Sequence, residues 1–256
     1  MSETRAPLVG VETRVEAGAE SATEPGTEVR IGRIVLNRPE RSNAYTQDML
    51  AAIEAAFERF ENDPHIGVVV VTGTGERAFC AGADRHELAT RTPESVRTLK
   101  AAEIFARIEA SRLVSIALIN GAAVGGGLEL ALACDIRLAA DHATFWLPEP
   151  EFGLLPAAGA LQRLPAAVGQ GPAREMILGG ARWDASRAFQ VGLVSEIAPL
   201  AALHELEARW TARITKRAPH VLALAKQSLA LRDPAASAAF DLTTQAQLVA
   251  KNRETQ

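Results

Sequence analysis

Two carboxylates and two small-residue loops are where this sequence could do chemistry. The first loop is Ala122-Ala123-Val124-Gly125-Gly126-Gly127, which runs directly into an apolar helical stretch holding one acid, Glu129. Helix entries normally place Ser, Thr, Asp or Asn over the first free amides. Glycines leave those amides uncovered, and a helix N-terminus carries roughly half a positive charge. Such an entry suits a place where negative charge develops on an oxygen. The second loop, Phe79-Cys80-Ala81-Gly82-Ala83-Asp84, leaves a short strand through small residues and enters a helix near Asp84. One amide from each loop could together stabilise an oxyanion, where loss of a donor typically costs about 3 to 4 kcal/mol.

Glu129 falls in the first turn of an otherwise apolar helix, so its side chain is expected in or near the interior, a costly position without a partner or a task. Glu149 lies between Pro148 and Pro150, which fix the local backbone, while Trp146, Leu147 and Phe152 could raise its pKa. Other readings of the same residues stand beside these. The glycines would also serve tight turns packed on neighbouring backbone, Glu149 could be an exposed loop acid, and Glu129 a helix N-terminal charge.

The elements that must position these groups follow from periodicity. Leu8 to Val15 and Glu28 to Leu36 alternate as a strand pair, with a polar loop between them. Thr46 to Asn62 has helical spacing in Met49, Leu50, Ile53, Ala56, Phe57 and Phe60. Ile66 to Thr72 is a β-branched run without polar alternation, as for a strand covered on both faces. Pro93 to Ser111 is predicted as one amphipathic helix, Leu113 to Asn120 as a second buried strand, and Ile136 to Ala140 and Thr144 to Leu147 as short strands. From Ala157 onward the pattern is helical: Gly159 to Val168, Pro172 to Leu178, Asp184 to Gln190, Leu200 to Thr215, His220 to Leu231 and Ala236 to Lys251. The alternation defines an α/β class, a sheet-containing core of residues 1–192 followed by a helical region, 193–256.

Composition sets the outer limits. The 256 residues are 48% hydrophobic and 23% charged, with a formal net charge of -4 and no basic stripe, which argues against a nucleic-acid binder. The two cysteines, Cys80 and Cys134, form no CxxC or Cys/His cluster, and the five histidines no spaced pair, so no metal is expected. A reducing, cytoplasmic compartment fits that usage, and no apolar run is long enough for a membrane span. The spacings of dinucleotide-binding, P-loop, nucleophile-elbow and zinc-helix motifs are missing.

In combination the motifs resemble the crotonase, or enoyl-CoA hydratase/isomerase, family. The resemblance is carried by Asn37-Arg38-Pro39 with Asn43-Ala44, Phe79 to Asp84, Asn120-Gly121 with Gly125-Gly126-Gly127 and Glu129, Cys134-Asp135, Pro148-Glu149 with Gly153, Gln162-Arg163-Leu164, and Gly192-Leu193-Val194. It implies a spiral of ββα units with a helical C-terminal region that takes part in oligomerisation, in a homotrimer or dimer of trimers. It implies that the N–H groups of Ala83 and Gly126 hold the thioester oxygen of an acyl-CoA, with Glu129 as base and Glu149 as acid for adding water to a trans-2-enoyl-CoA. CoA and acyl contacts are implied at Arg38, Ala81, Gly82, Asp84, Arg85, His86, Gly125 and Trp146. The CoA thioester is substrate, and no metal or redox cofactor is implied. Isomerase or specialised dehydratase activity, or acyl-CoA binding without turnover, are the alternatives. Two departures stand out: Ala157-Ala158-Gly159-Ala160-Leu161 replaces a more glycine-rich stretch, and the sequence ends at Gln256 before the family's usual last helical segment.

Overall fold

The computed structural model describes residues 7–20, 28–231 and 233–254. Its first elements are an antiparallel pair, β1 (Val9–Glu20) and β2 (Glu28–Leu36), in register from Val9 opposite Leu36 to Val15 opposite Arg30. β1 runs past Val15 into the stretch expected to be loop, with an irregularity before Glu20 meets Glu28; residues 21–27 lie outside the described residues. Then come α1 (Gln47–Glu61), β3 (Ile66–Gly73), β4 (Ala78–Cys80), α2 (Arg85–Ala89), α3 (Pro93–Arg97), α4 (Lys100–Ala110), β5 (Val114–Ile119), β6 (Ala122–Val124) and α5 (Gly126–Ala133). The chain continues through β7 (Ile136–Ala140), β8 (Thr144–Trp146), α6 (Ala160–Val168), α7 (Gln170–Ile177), β9 (Trp183–Asp184), α8 (Ala185–Gln190), β10 (Glu196–Ala198), α9 (Leu203–Thr215), α10 (Pro219–Ala230) and α11 (Pro234–Glu254).

Successive strands alternate between two sheets. β3, β5 and β7 lie parallel in a sheet ordered β1-β2-β3-β5-β7-β10, while β4, β6 and β8 lie parallel in a second, ordered β4-β6-β8-β9. Each turn of the chain therefore adds one strand to each sheet and closes with helix, which is a spiral of ββα units. The unpatterned β3 run is explained by this arrangement. Ile66, Val69 and Val71 face the larger core with α1, α4 and α5, whereas Val68 and Val70 face a second core under Leu203, Leu206 and Ile214 of α9. Burial of one such side chain contributes about 1.5 to 3 kcal/mol, so a strand with two apolar faces is the economical solution between two layers.

The expected helix over 93–111 is two helices. α4 buries Ala101, Ile104, Phe105 and Ile108, but α3 buries none of its residues and is held by its own Thr92–Ser95 capping box. Without a buried stripe, nothing aligns α3 with α4, and Leu99 at the break is extended and packs on the core instead. The strands β6, β9 and β10 are too short to have shown a period of two.

Candidate active site

Motif residues far apart in sequence meet around one carbonyl. Asn43 donates to Ala78 O and Thr74 O, at 2.8 and 3.0 Å, and Asn120 donates to Ala78 O and Gly75 O. Both amides are nearly inaccessible, and together they fix the entry to β4. Beyond β4, Ala81 N donates to Ser42 O, Tyr45 N to Gly82 O and Asp84 N to Tyr45 O. Because the peptide groups flanking Ala83 are the ones bound to Tyr45, the N–H of Ala83 itself points the other way, and it has no acceptor among the described residues.

The glycine-rich helix entry meets this loop. Gly125, at φ +52°, turns β6 into α5 without a side-chain cap, and its N–H donates to Trp146 O. An L side chain rarely adopts that conformation. Gly127 has a different reason: a methyl group there would overlap the backbone carbonyl of Cys80. The first loop and α5 are thus in backbone contact, and a methyl on Gly82 would lie 3.2 Å from Gly126 N. Gly126 N–H, like that of Ala83, has no acceptor among the described residues. Two N–H groups without acceptors among the described residues therefore lie on loops that touch at the positive end of a buried helix.

Both acids reach the same cavity, of about 790 Å³. Glu129 is buried, and its Oε1 accepts from Ala158 N and Ala160 N at 2.8 and 3.0 Å. Burial raises its pKa, while those two amides and the charge of Arg163 oppose the rise. The substituted Ala157-to-Leu161 stretch thus holds Glu129 through backbone, which tolerates alanine, and Arg163 secures the turn by donating to Ala158 O and Glu109. Glu149 begins a short 3-10 turn behind Pro148, and its Oε1 would lie 2.5 Å from a methyl on Gly125, so the carboxyl group covers the helix entry. Its buried Oε2 has no hydrogen-bond partner among the described residues. Burial pushes its pKa up to about 7 against a smaller opposing effect of its own backbone N–H, and the charge of Glu129 adds to the rise. Glu149 is not the exposed loop acid that its sequence also allowed, and Glu129 does stand in the first turn of α5, but buried.

Glu149 should cost the fold stability at neutral pH. Its folded pKa of about 7 lies above the 4.5 of a free glutamate side chain. Its contribution is therefore complete below about 4.5 and is lost as pH rises through about 7. Glu149→Gln should melt higher than the parent above pH 7, by about 1 to 3 kcal/mol in stability, and the difference should vanish near pH 4. Calorimetry across that range checks it, and equal curves at pH 8 would contradict it.

Of the other residues expected here, Ala81, Gly82, Asp84, Arg85, His86, Gly125 and Trp146 line the cavity. Arg38 does not, and is drawn into the protein instead. Its Nη1 donates to Ala44 O at 2.7 Å and to Asp84 at 3.0 Å, with the side chain only 12% exposed. Burial disfavours the Asp84 carboxylate, but the His86 N–H and the Arg38 guanidinium outweigh it and hold the pKa low. Arg38 thereby staples the Ala83 loop. Arg41, Arg77, Arg91 and Arg182 line the cavity and carried no signal that set them apart from other arginines. Tyr45 lines it too, next to the Asn43-Ala44 landmark but not marked by it. Arg182 covers the Trp146 ring at 5.2 Å.

Comparisons with known proteins bear on the family and the fold. The family model described as enoyl-CoA hydratase/isomerase matches residues 26–254, and the chain belongs to that family. Among its relatives, a protein named "Enoyl-CoA hydratase, mitochondrial" from Pongo abelii is 37% identical over 222 residues, 87% of this chain and 74% of the relative. "Probable enoyl-CoA hydratase echA8" from Mycobacterium bovis is 38% identical over 201 residues, 78% of this chain and 77% of the relative. A crystal structure titled as an enoyl-CoA hydratase from Bacillus anthracis superposes with a TM-score of 0.84 at 31% identity, covering 95% of this chain and 91% of that one. The fold is that of the crotonases. No helix among the described residues is long and apolar enough to cross a membrane.

Proposed function

We propose that this chain is a hydratase, reversibly adding water to a trans-2-enoyl-CoA to give a 3-hydroxyacyl-CoA. The observation that carries the reading is the pair of buried acids of unlike environment, beside two N–H groups that lack acceptors. The N–H groups of Ala83 and Gly126 receive the thioester oxygen and draw electron density from C3. Glu129, kept ionisable by two backbone amides, takes a proton from water as its oxygen bonds to C3. The C2=C3 electrons move into the thioester as an enolate. Glu149, with a pKa of about 7, still holds a proton near neutrality and delivers it to C2 as the enolate collapses. The acids finish with exchanged protonation, and transfer between them or through solvent resets the site; their titration belongs to the pair. No metal or redox partner enters these steps.

The names of the relatives support this reading, while the family description also includes isomerases. The test offers trans-2-enoyl-CoA and 3-enoyl-CoA thioesters of increasing chain length and follows the conjugated absorbance with product analysis. Loss of the 2-enoyl absorbance with formation of 3-hydroxyacyl-CoA is expected. Its gain from 3-enoyl substrates, without hydration, would replace the hydratase by an isomerase. CoA-ester binding with no turnover would make the chain a binding protein. Self-association as a trimer or dimer of trimers is part of the same proposal. It is supported by the helical end, where α10 buries none of its residues and Leu229 and Leu242 stand exposed. A monomeric mass in light scattering would contradict it. A cytoplasmic setting likewise accords with the bacterial relatives.

A further inference from the structure

One hydroxyl group at the site has no part in the steps above. Tyr45 is 4% exposed, and its ring meets Phe105 edge to face at 6.0 Å. Its backbone brackets Ala83, donating to Gly82 O at 2.8 Å and accepting from Asp84 N at 2.9 Å. Its hydroxyl lies against Gly126, where an added methyl group would overlap it. One residue therefore touches the suppliers of both uncovered N–H groups, from opposite ends. The side chain lines the cavity, and its hydroxyl has no hydrogen-bond partner among the described residues.

A hydroxyl that lines the cavity without a partner among the described residues is open to an acceptor that arrives with a ligand. The described residues offer none: neither Glu129 nor Glu149 bonds to it, although both are near enough to act on it electrostatically. Burial and those charges, with that of Cys80 and against that of Arg91, keep the phenol protonated. It is therefore a donor throughout the working range. A donor held against Gly126 is within reach of an oxygen bound at the Gly126 N–H.

We infer that the Tyr45 hydroxyl is a third donor to the thioester oxygen of the acyl-CoA, giving a hydrogen bond that strengthens as negative charge collects on that oxygen. The inference rests on the acyl-CoA reading of the cavity and extends it. The phenol keeps its proton, and no covalent bond changes at Tyr45. Because the bond gains strength in the transition state, its loss is felt in kcat and little in KM.

The test is Tyr45→Phe, which keeps the ring and its contact with Phe105. For hydration of trans-2-butenoyl-CoA, kcat should fall about 10- to 100-fold with KM nearly unchanged and the melting temperature within a degree or so of the parent's. A second readout needs no turnover: bound 3-oxobutanoyl-CoA is titrated by the absorbance of its enolate. Donors to the thioester oxygen favour the enolate, so Tyr45→Phe should raise the apparent pKa of the bound ligand by about one unit, a tenfold loss of enolate stabilisation. A parent that fails to hydrate but shows that titration shift loses the hydratase reading and keeps this one. An unmoved titration overturns the inference, whether kcat is unchanged or has fallen together with stability, and so does failure to bind the 3-oxoacyl thioester.

Discussion

Glu129→Gln should lower kcat for hydration of a short trans-2-enoyl-CoA by about 10³-fold, and Glu149→Gln by a similar factor, with little effect on KM. Both changes conserve shape. The amide oxygen of a glutamine at 129 can still accept from Ala158 N and Ala160 N, so the local fold has no reason to yield. What is lost is the acceptor for the proton of water in one case and the donor to C2 in the other. On the proposed mechanism the two acids serve one transition state, so the double variant should be about as slow as the slower single variant, and not the product of the two losses. Stopped-flow absorbance with all four proteins checks this. Retention of more than a tenth of parental kcat in either single variant would remove that acid from the mechanism. The pH profile adds a sign: Glu149 must be protonated to donate to C2, so kcat/KM for hydration should decline as pH rises past about 7.

Gly127→Ala should be nearly as damaging without touching a titratable group. The added methyl would overlap the carbonyl of Cys80, and backbone stands on both sides of the collision. Relief requires α5 and β4 to separate, which carries Gly126 N and the Ala83 loop apart. Misplacing these donors should reduce kcat about 10²-fold or more, and the overpacking should cost about 1 to 3 kcal/mol of stability. Gly171→Ala is the control. It lies in α7 with nothing within 4 Å of the new methyl, so activity should be unchanged and stability equal or slightly higher. Parental activity in Gly127→Ala would mean that the close backbone approach has no bearing on the reaction.

Comparison of these residues shows what a single sequence can reveal. Glu129 was legible because a lone carboxylate in an apolar helix is physically anomalous, and the glycine triplet because a helix entry without a cap leaves amides open. The two-sided burial of β3 followed from its unbroken β-branched run. Other features depend on partners distant in the chain and leave no local trace. Ala158 and Ala160 hold Glu129 through backbone N–H groups, which every residue but proline possesses. Arg38 looks like any cation until Asp84, Ala44 and the Ala83 loop are placed around it. Tyr45 reads as one more apolar position ahead of α1, and only the approach of Gly126 gives its hydroxyl a setting. The division of 93–111 into α3 and α4 likewise depends on which residues found a core to enter.

In the proposed reaction, water adds across C2=C3 under the control of Glu129 and Glu149, while two backbone N–H groups hold the thioester oxygen. Mass analysis of the product formed from trans-2-butenoyl-CoA in H₂¹⁸O tests it most directly. The expected product is 3-hydroxybutanoyl-CoA carrying the heavy oxygen at C3, with formation slowed about 10³-fold in Glu129→Gln. Recovery of unaltered substrate, or of an isomer without the label, at every enzyme concentration would contradict it.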